Sequence, residues 1–117
     1  MPPMNRVAGC LLAALLGLSF SPVATGRDDQ AARFYEDARS RLGKGDTAGA
    51  IIQLKNALRE DSSLLAAQAL LGQAFMRNQQ PDQAQEALER AIALGIDKSE
   101  VALTLAEALL AQGKVRD

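Results

Sequence analysis

Residues 45–61 read GDTAGAIIQLKNALRED, and the sizes of their side chains decide the fold. Small residues at Ala50 and Ala57 alternate with bulky Leu54 and Leu58, so the run reads as one face of a helix. Advancing along the chain by the step that takes position 50 to position 84 brings Ala84, Leu88, Ala91 and Ile92 onto the places of Ala50, Leu54, Ala57 and Leu58. The same step pairs Ala38 with Gly72 and Ala106, Leu42 with Met76 and Leu110, and Gly45 with Gln79 and Gly113. Slender residues let helix backbones approach, and large ones fill the space beside them. The expected packing residues are therefore Ala38, Ala50, Leu54, Ala57, Leu71, Gly72, Phe75, Ala84, Leu88 and Ala91.

Turn signals divide the chain after this pattern. A first helix is expected from Asp29 to Leu42, ended by Gly43-Lys44-Gly45, and a second, capped by Asp46, reaches about Glu60. Asp61-Ser62-Ser63 supplies the break and cap for a third helix from about Leu64 to Arg77. Pro81 then opens a fourth at the first helical position, where its missing N–H costs nothing; Gly95 is a left-handed stop after Leu94. Asp97 and Glu100 stand at capping-box spacing before a fifth helix that ends near Gly113.

Composition agrees with an all-α chain and narrows its chemistry. Of 117 residues, 48% are hydrophobic and 23% charged, with a net charge of −1, which suits an ordered globular chain. Aromatics are only 3%, and Trp is absent. The near-neutral balance offers no basic stripe for nucleic acid. There is no histidine, the one cysteine is Cys10, and no P-loop spacing occurs, so no catalytic residue, cofactor or metal is expected. Asp28-Asp29 and Glu60-Asp61 lie at helix ends, where carboxylates cap N–H groups or stay solvated. Asp37 with Arg41, and Glu86 with Arg90, have the spacing of surface ion pairs.

The amino-terminal segment, 1–26, follows other rules. Arg6 precedes an apolar run from Val7 to Phe20, then Pro22 and a small-residue stretch ending Ala24-Thr25-Gly26. That is the order of a secretory signal peptide, occupying 1–26; the run is shorter than the ~20 residues a membrane-spanning helix needs, so cleavage is preferred to a retained anchor. Val7-Ala8-Gly9-Cys10 has the residue types of a lipobox, but the apolar run Leu11 to Phe20 follows the Cys. Cys10 is accordingly read as a small apolar residue of the leader. Membrane association is expected only if the N-terminus is retained or Cys10 is lipidated.

A two-helix period of this length resembles the tetratricopeptide repeat, over Ala31 to Gly113. The resemblance implies a helix-pair solenoid over 27–117, with two full repeats and the first helix of a third. It also implies a groove lined by first-helix residues: Tyr35, Arg39, Leu42, Gln73, Met76, Arg77, Thr104 and Glu107. Arg39, Gln73 and Arg77 would hold an extended segment, with Tyr35 and Met76 giving adaptable apolar contact. Departures are informative. Arg41 takes the place of an aromatic, Gln68 and Ala102 stand where bulky aromatics are frequent and are expected to weaken packing between pairs, and Tyr35 and Arg39 replace the clamp that holds a terminal carboxylate.

The phrasing of residues 45–114 is also similar to the amino-terminal part of the PEP-CTERM-system tetratricopeptide lipoproteins of Gram-negative bacteria. That resemblance implies exopolysaccharide-associated export or surface sorting, in the periplasm or cell envelope. The repeat calls for another helix near Asp117, leaving Leu105, Leu109 and Leu110 without a partner, so the chain reads as the head of a longer array. The expected function is an exported, non-catalytic scaffold for a protein or peptide partner, with envelope or export machinery as candidates. The alternative is a structural assembly subunit that docks through its exposed terminal helix face. An enzymatic role would require a catalytic domain beyond Asp117.

Overall fold

The computed structural model describes residues 26–114, so the leader cleavage and Cys10 readings lie outside the described residues. Among the described residues five helices follow one another: α1 (Gly26–Gly43), α2 (Thr47–Glu60), α3 (Leu65–Arg77), α4 (Pro81–Leu94) and α5 (Lys98–Ala111). Among the described residues there is no strand. Each helix packs on its sequence neighbours, and α3 also meets α5. This is a helix-pair solenoid, with α1/α2 and α3/α4 as two repeats and α5 opening a third.

The turn inside each pair is set by one left-handed residue. Gly45, Gln79 and Gly113, at the same place in successive repeats, have φ of 84°, 59° and 79°. In each turn the next residue's N–H reaches back five positions: Asp46 to Arg41, Gln80 to Phe75 and Lys114 to Leu109, every bond 2.8 Å long. A companion bond runs from Gly45 to Leu42, Gln79 to Met76 and Gly113 to Leu110. This double closure satisfies helix-end carbonyls that would otherwise be orphaned, and it requires the left-handed conformation at its pivot. Gln79 adopts it without glycine's freedom.

The connections between pairs are less uniform and correct two cap assignments. Asp61 does not cap α3; its Oδ1 accepts from Ser63 N–H and Oγ at 3.0 and 2.8 Å, forming a local turn. The α3 N-cap position is Leu64, with no side-chain bond. Asp97 caps α5, but through the Ser99 N–H and hydroxyl, both at 3.0 Å, while the Glu100 N–H bonds the backbone carbonyl of Asp97. The capping-box reading at Glu100 is replaced by this Ser99 arrangement. At the N-terminal end, α1 begins at Gly26, ahead of the expected Asp29. Gly95, at φ 116°, ends α4 as a left-handed stop.

All the expected packing residues are buried. Leu54 and Leu88, one repeat apart, are the largest side chains removed entirely from solvent. The reason for small residues differs from the expectation at Gly72. A Cβ there would lie 2.5 Å from Cγ and Cδ2 of Leu88, so it is a side chain from α4, rather than its backbone, that claims the space. Gln68 is buried at 3% exposure, and its amide donates to the Ala87 carbonyl at 3.3 Å. That bond joins α3 to α4 within one pair, whereas the loosening expected at Gln68 concerns the contact between pairs.

Candidate functional site

The groove candidates sit on α1, α3 and α5 and differ in exposure. Arg39, Gln73, Arg77 and Glu107 are exposed; Tyr35, Met76 and Thr104 are half-buried. Arg39, Gln73 and Glu107 occupy one register position in three successive first helices, giving a cation, an amide and a carboxylate in order. The Arg39 guanidinium lies 6.0 Å from the centre of the Tyr35 ring and 3.7 Å from Glu36. Exposed contacts of this sort contribute little to stability, leaving Arg39 available to another group. Tyr35 and Met76, with Leu42, also pack against the core.

A different concavity opens on the other side of the pairs. Between α2 and α4 lies a cleft of about 440 Å3, floored by α3 through Gln68, Leu71 and Phe75. Lys55, Leu58 and Arg59 of α2 form one wall, and Gln83, Glu86 and Arg90 of α4 the other. The Lys55 ammonium stands 5.7 Å from the centre of the Phe75 ring. Arg90 and Glu86 are paired loosely at 3.7 Å.

The equivalent cleft one repeat later is mostly apolar. It measures about 410 Å3 and lies between α4 and α5, bounded by Glu89, Ile92, Lys98, Ala102, Leu105, Ala106 and Leu109. Of these, Glu89, Ile92, Ala102, Leu105 and Leu109 are the one-repeat equivalents of Lys55, Leu58, Gln68, Leu71 and Phe75. Beyond it, Leu103 and Leu110 are 73% and 59% exposed. Among the described residues no cluster of acidic, histidine or cysteine side chains is arranged to hold a metal ion. None of the described helices is long and apolar enough to cross a membrane.

The model of the tetratricopeptide repeat family matches residues 41–95, from the end of α1 to the stop after α4. Residues 41–95 are thus similar to tetratricopeptide repeats. No curated protein matches the chain. Tetratricopeptide domains are generally non-catalytic modules, and they typically mediate binding between proteins.

The first helix pair carries a polar substitution of the second. Leu71, Phe75 and Ala87 are buried, whereas Asp37, Arg41 and Gln53, their equivalents one repeat earlier, form a hydrogen-bonded group. Arg41 Nε donates to Asp37 at 2.7 Å, and its Nη1 donates to Asp46 at 2.9 Å. Gln53 Nε2 donates to Asp37 at 2.7 Å, tying α1 to α2. The Asp37 carboxyl is held below its usual range, first by Arg41 and then by Gln53; Arg41 is pushed up by Asp37 and Asp46. Asp46 is likewise held low, chiefly by the backbone N–H of Gly49 that it caps at 3.0 Å, then by Arg41. The expected simple surface pair is thus part of a cross-helix network, and Arg41 closes the pair without an aromatic.

Sequence reading passed over Lys55 and Arg59, because family resemblance directs attention to first helices, and it gave Arg90 and Gln68 other roles, a surface ion pair and a departure from an aromatic position. A signal was present. Lys55 and Arg59 are like charges four apart on one helix, an arrangement that destabilises an isolated helix. The repeat changes Lys55 to Glu89 and Gln68 to Ala102.

Proposed function

We propose that the chain is an exported scaffold that holds an extended protein segment along its first helices, through Arg39, Gln73 and Arg77 with Tyr35, Met76, Thr104 and Glu107. The observation that carries this reading is the recurrence of one pivot at Gly45, Gln79 and Gly113, with the same five-position closing bond. Each first helix ends in the same closure, and exposed Arg39, Gln73 and Glu107 stand at one register position of three successive first helices, as stacking of equivalent pairs along one side requires. The leader-like order of 1–26 supports export to the periplasm or envelope of a Gram-negative bacterium, and similarity to the PEP-CTERM-system proteins supports a place in exopolysaccharide-associated export or surface sorting.

Two measurements test it. Intact mass of the envelope-extracted protein is expected to show a chain beginning at Arg27; a start at Met1 or an acylated Cys10 would replace the cleaved-leader reading. Affinity capture from envelope extracts is expected to retain a protein partner with the native chain and lose it with Arg39→Glu combined with Arg77→Glu. Retention by that variant would remove the groove from the reading.

A second reading, an assembly subunit, is favoured by the apolar cleft between α4 and α5 and by exposed Leu110. Its occupant would be a helix of the same repeat type, because α4 forms the corresponding wall beside the floor of α3. Under that reading, polar substitutions at Leu109 and Leu110 abolish capture, while those at Arg39 and Arg77 do not.

A further inference from the structure

We infer that the cleft between α2 and α4 is a second binding site, for an acidic peptide that presents a carboxylate beside an apolar side chain. The inference does not depend on the groove along the first helices, since it uses the opposite faces of the pairs. Its basis is a comparison that the protein makes internally. The two successive clefts share floor positions of the same register, yet where the wall of the first carries Lys55 and Arg59 the same register positions one repeat later are Glu89 and Ala93, and across the first cleft Arg90 stands with a single carboxylate, Glu86. The protein as a whole has a net charge of −1, so this local excess of positive charge runs against the general balance.

Each part of the cleft suits one part of such a ligand. Leu71 and Phe75, each 6% exposed, with half-buried Leu58, offer an apolar seat for a side chain. The Lys55 ammonium above Phe75 borders that seat, and among the described residues neither Lys55 nor Arg59 has an ion-pair partner. Their charges are free for a carboxylate, where charge-assisted hydrogen bonds form most strongly. Buried Gln68 spends its amide N–H on the Ala87 carbonyl. Its Oε1 receives no bond from the described residues, and it can accept a peptide N–H. The volume, about 440 Å3, lies within the usual range for small ligands and short peptide segments.

The next repeat supplies substitutions that the fold accepts. In the apolar cleft Glu89 and Ala102 stand in for Lys55 and Gln68. Lys55→Glu combined with Gln68→Ala therefore rewrites the first cleft with residues that the solenoid already carries at the same register. The probe is a fluorescein-labelled peptide of alternating Asp and Leu, titrated into the purified full chain and followed by anisotropy, with circular dichroism to verify folding. Binding is expected to weaken by about tenfold or more in this variant and separately in Arg59→Glu. It is expected to weaken as salt rises to about 0.5 M and to be unchanged in Arg39→Glu with Arg77→Glu. A peptide of alternating Lys and Leu is expected not to bind. Equal binding by the Lys55→Glu, Gln68→Ala variant, or no binding by the native chain, overturns the site. Tighter binding of a galacturonate trisaccharide, with the same loss on substitution, overturns the peptide assignment in favour of an acidic saccharide.

Discussion

Leu88 of α4 fills the space that a side chain at position 72 of α3 would need, with two of its carbons 2.5 Å from where that Cβ would stand. Leu88 is itself fully buried, so it cannot turn aside into solvent without disturbing its neighbours. Gly72→Ala is expected to destabilise the fold by about 1–2 kcal/mol, the cost of overpacking exceeding the gain in helix propensity. In a Leu88→Ala background the same change is expected to stabilise, because the obstruction is gone. Urea unfolding of the four proteins of this cycle tests the sign reversal. Destabilisation in both backgrounds would show that Leu88 is not the cause.

The left-handed pivots predict opposite effects for opposite substitutions. Gln79→Gly is expected to raise stability by about 0.5–1 kcal/mol by relieving a conformation costly for a side chain. Gly45→Ala is expected to lower it by about 1 kcal/mol for the same reason, as nothing lies within 4 Å of the added carbon. Thermal unfolding measures both. A neutral Gly45→Ala would mean that the pivot is not held in the left-handed region.

Acid should loosen the first repeat through its carboxylates. Asp37 and Asp46 are held below their ordinary value by hydrogen bonds from Arg41, Gln53 and the Gly49 N–H, with Lys44 adding charge near Asp37. Asp97 is held low by Ser99. A carboxyl depressed in the fold contributes stability that is complete above its unfolded value, ~3.9, and is lost as pH falls through the lower folded value. The unfolding midpoint is expected to be flat down to about pH 5 and to fall below about pH 4. Asp37→Asn with Asp46→Asn should make that fall shallower, and an unchanged slope would place the acid sensitivity elsewhere.

Leu54→Ala is expected to cost about 2–5 kcal/mol, as for other fully buried leucines. In a solenoid each pair leans only on its neighbours, so the loss of amide-exchange protection should be largest in α1 and α2 and smallest in α5. Uniform loss along the chain would indicate a single cooperative block.

The five helices of the described residues and the pair repeat could be read from spacing, because they depend on side-chain size recurring at a fixed interval, and the ten packing residues named from it are buried, though others such as Ile51, Ala67 and Ala74 share that core. Gly45 and Gly113 announced their turns, and Gln79 could be assigned to the same turn only by counting from them. The caps were harder. Asp61 and Asp97 are each followed two positions later by a serine, yet Asp97 caps a helix and Asp61 closes a turn, a difference set by where the neighbouring helix lies. The groove residues on the first helices came from resemblance, and the cleft between second helices was not foreseen.

Periodicity along the chain was enough to establish antiparallel helix pairs and which faces turn inward, since each helix forms and buries its small-and-large stripe by local rules. It could not establish which side chain enters the space left at Gly72, that Gln68 bonds across to Ala87, or that Lys55 stands over Phe75. Those pairings join residues of different helices, and they arise only when the pairs are stacked at a definite distance and angle.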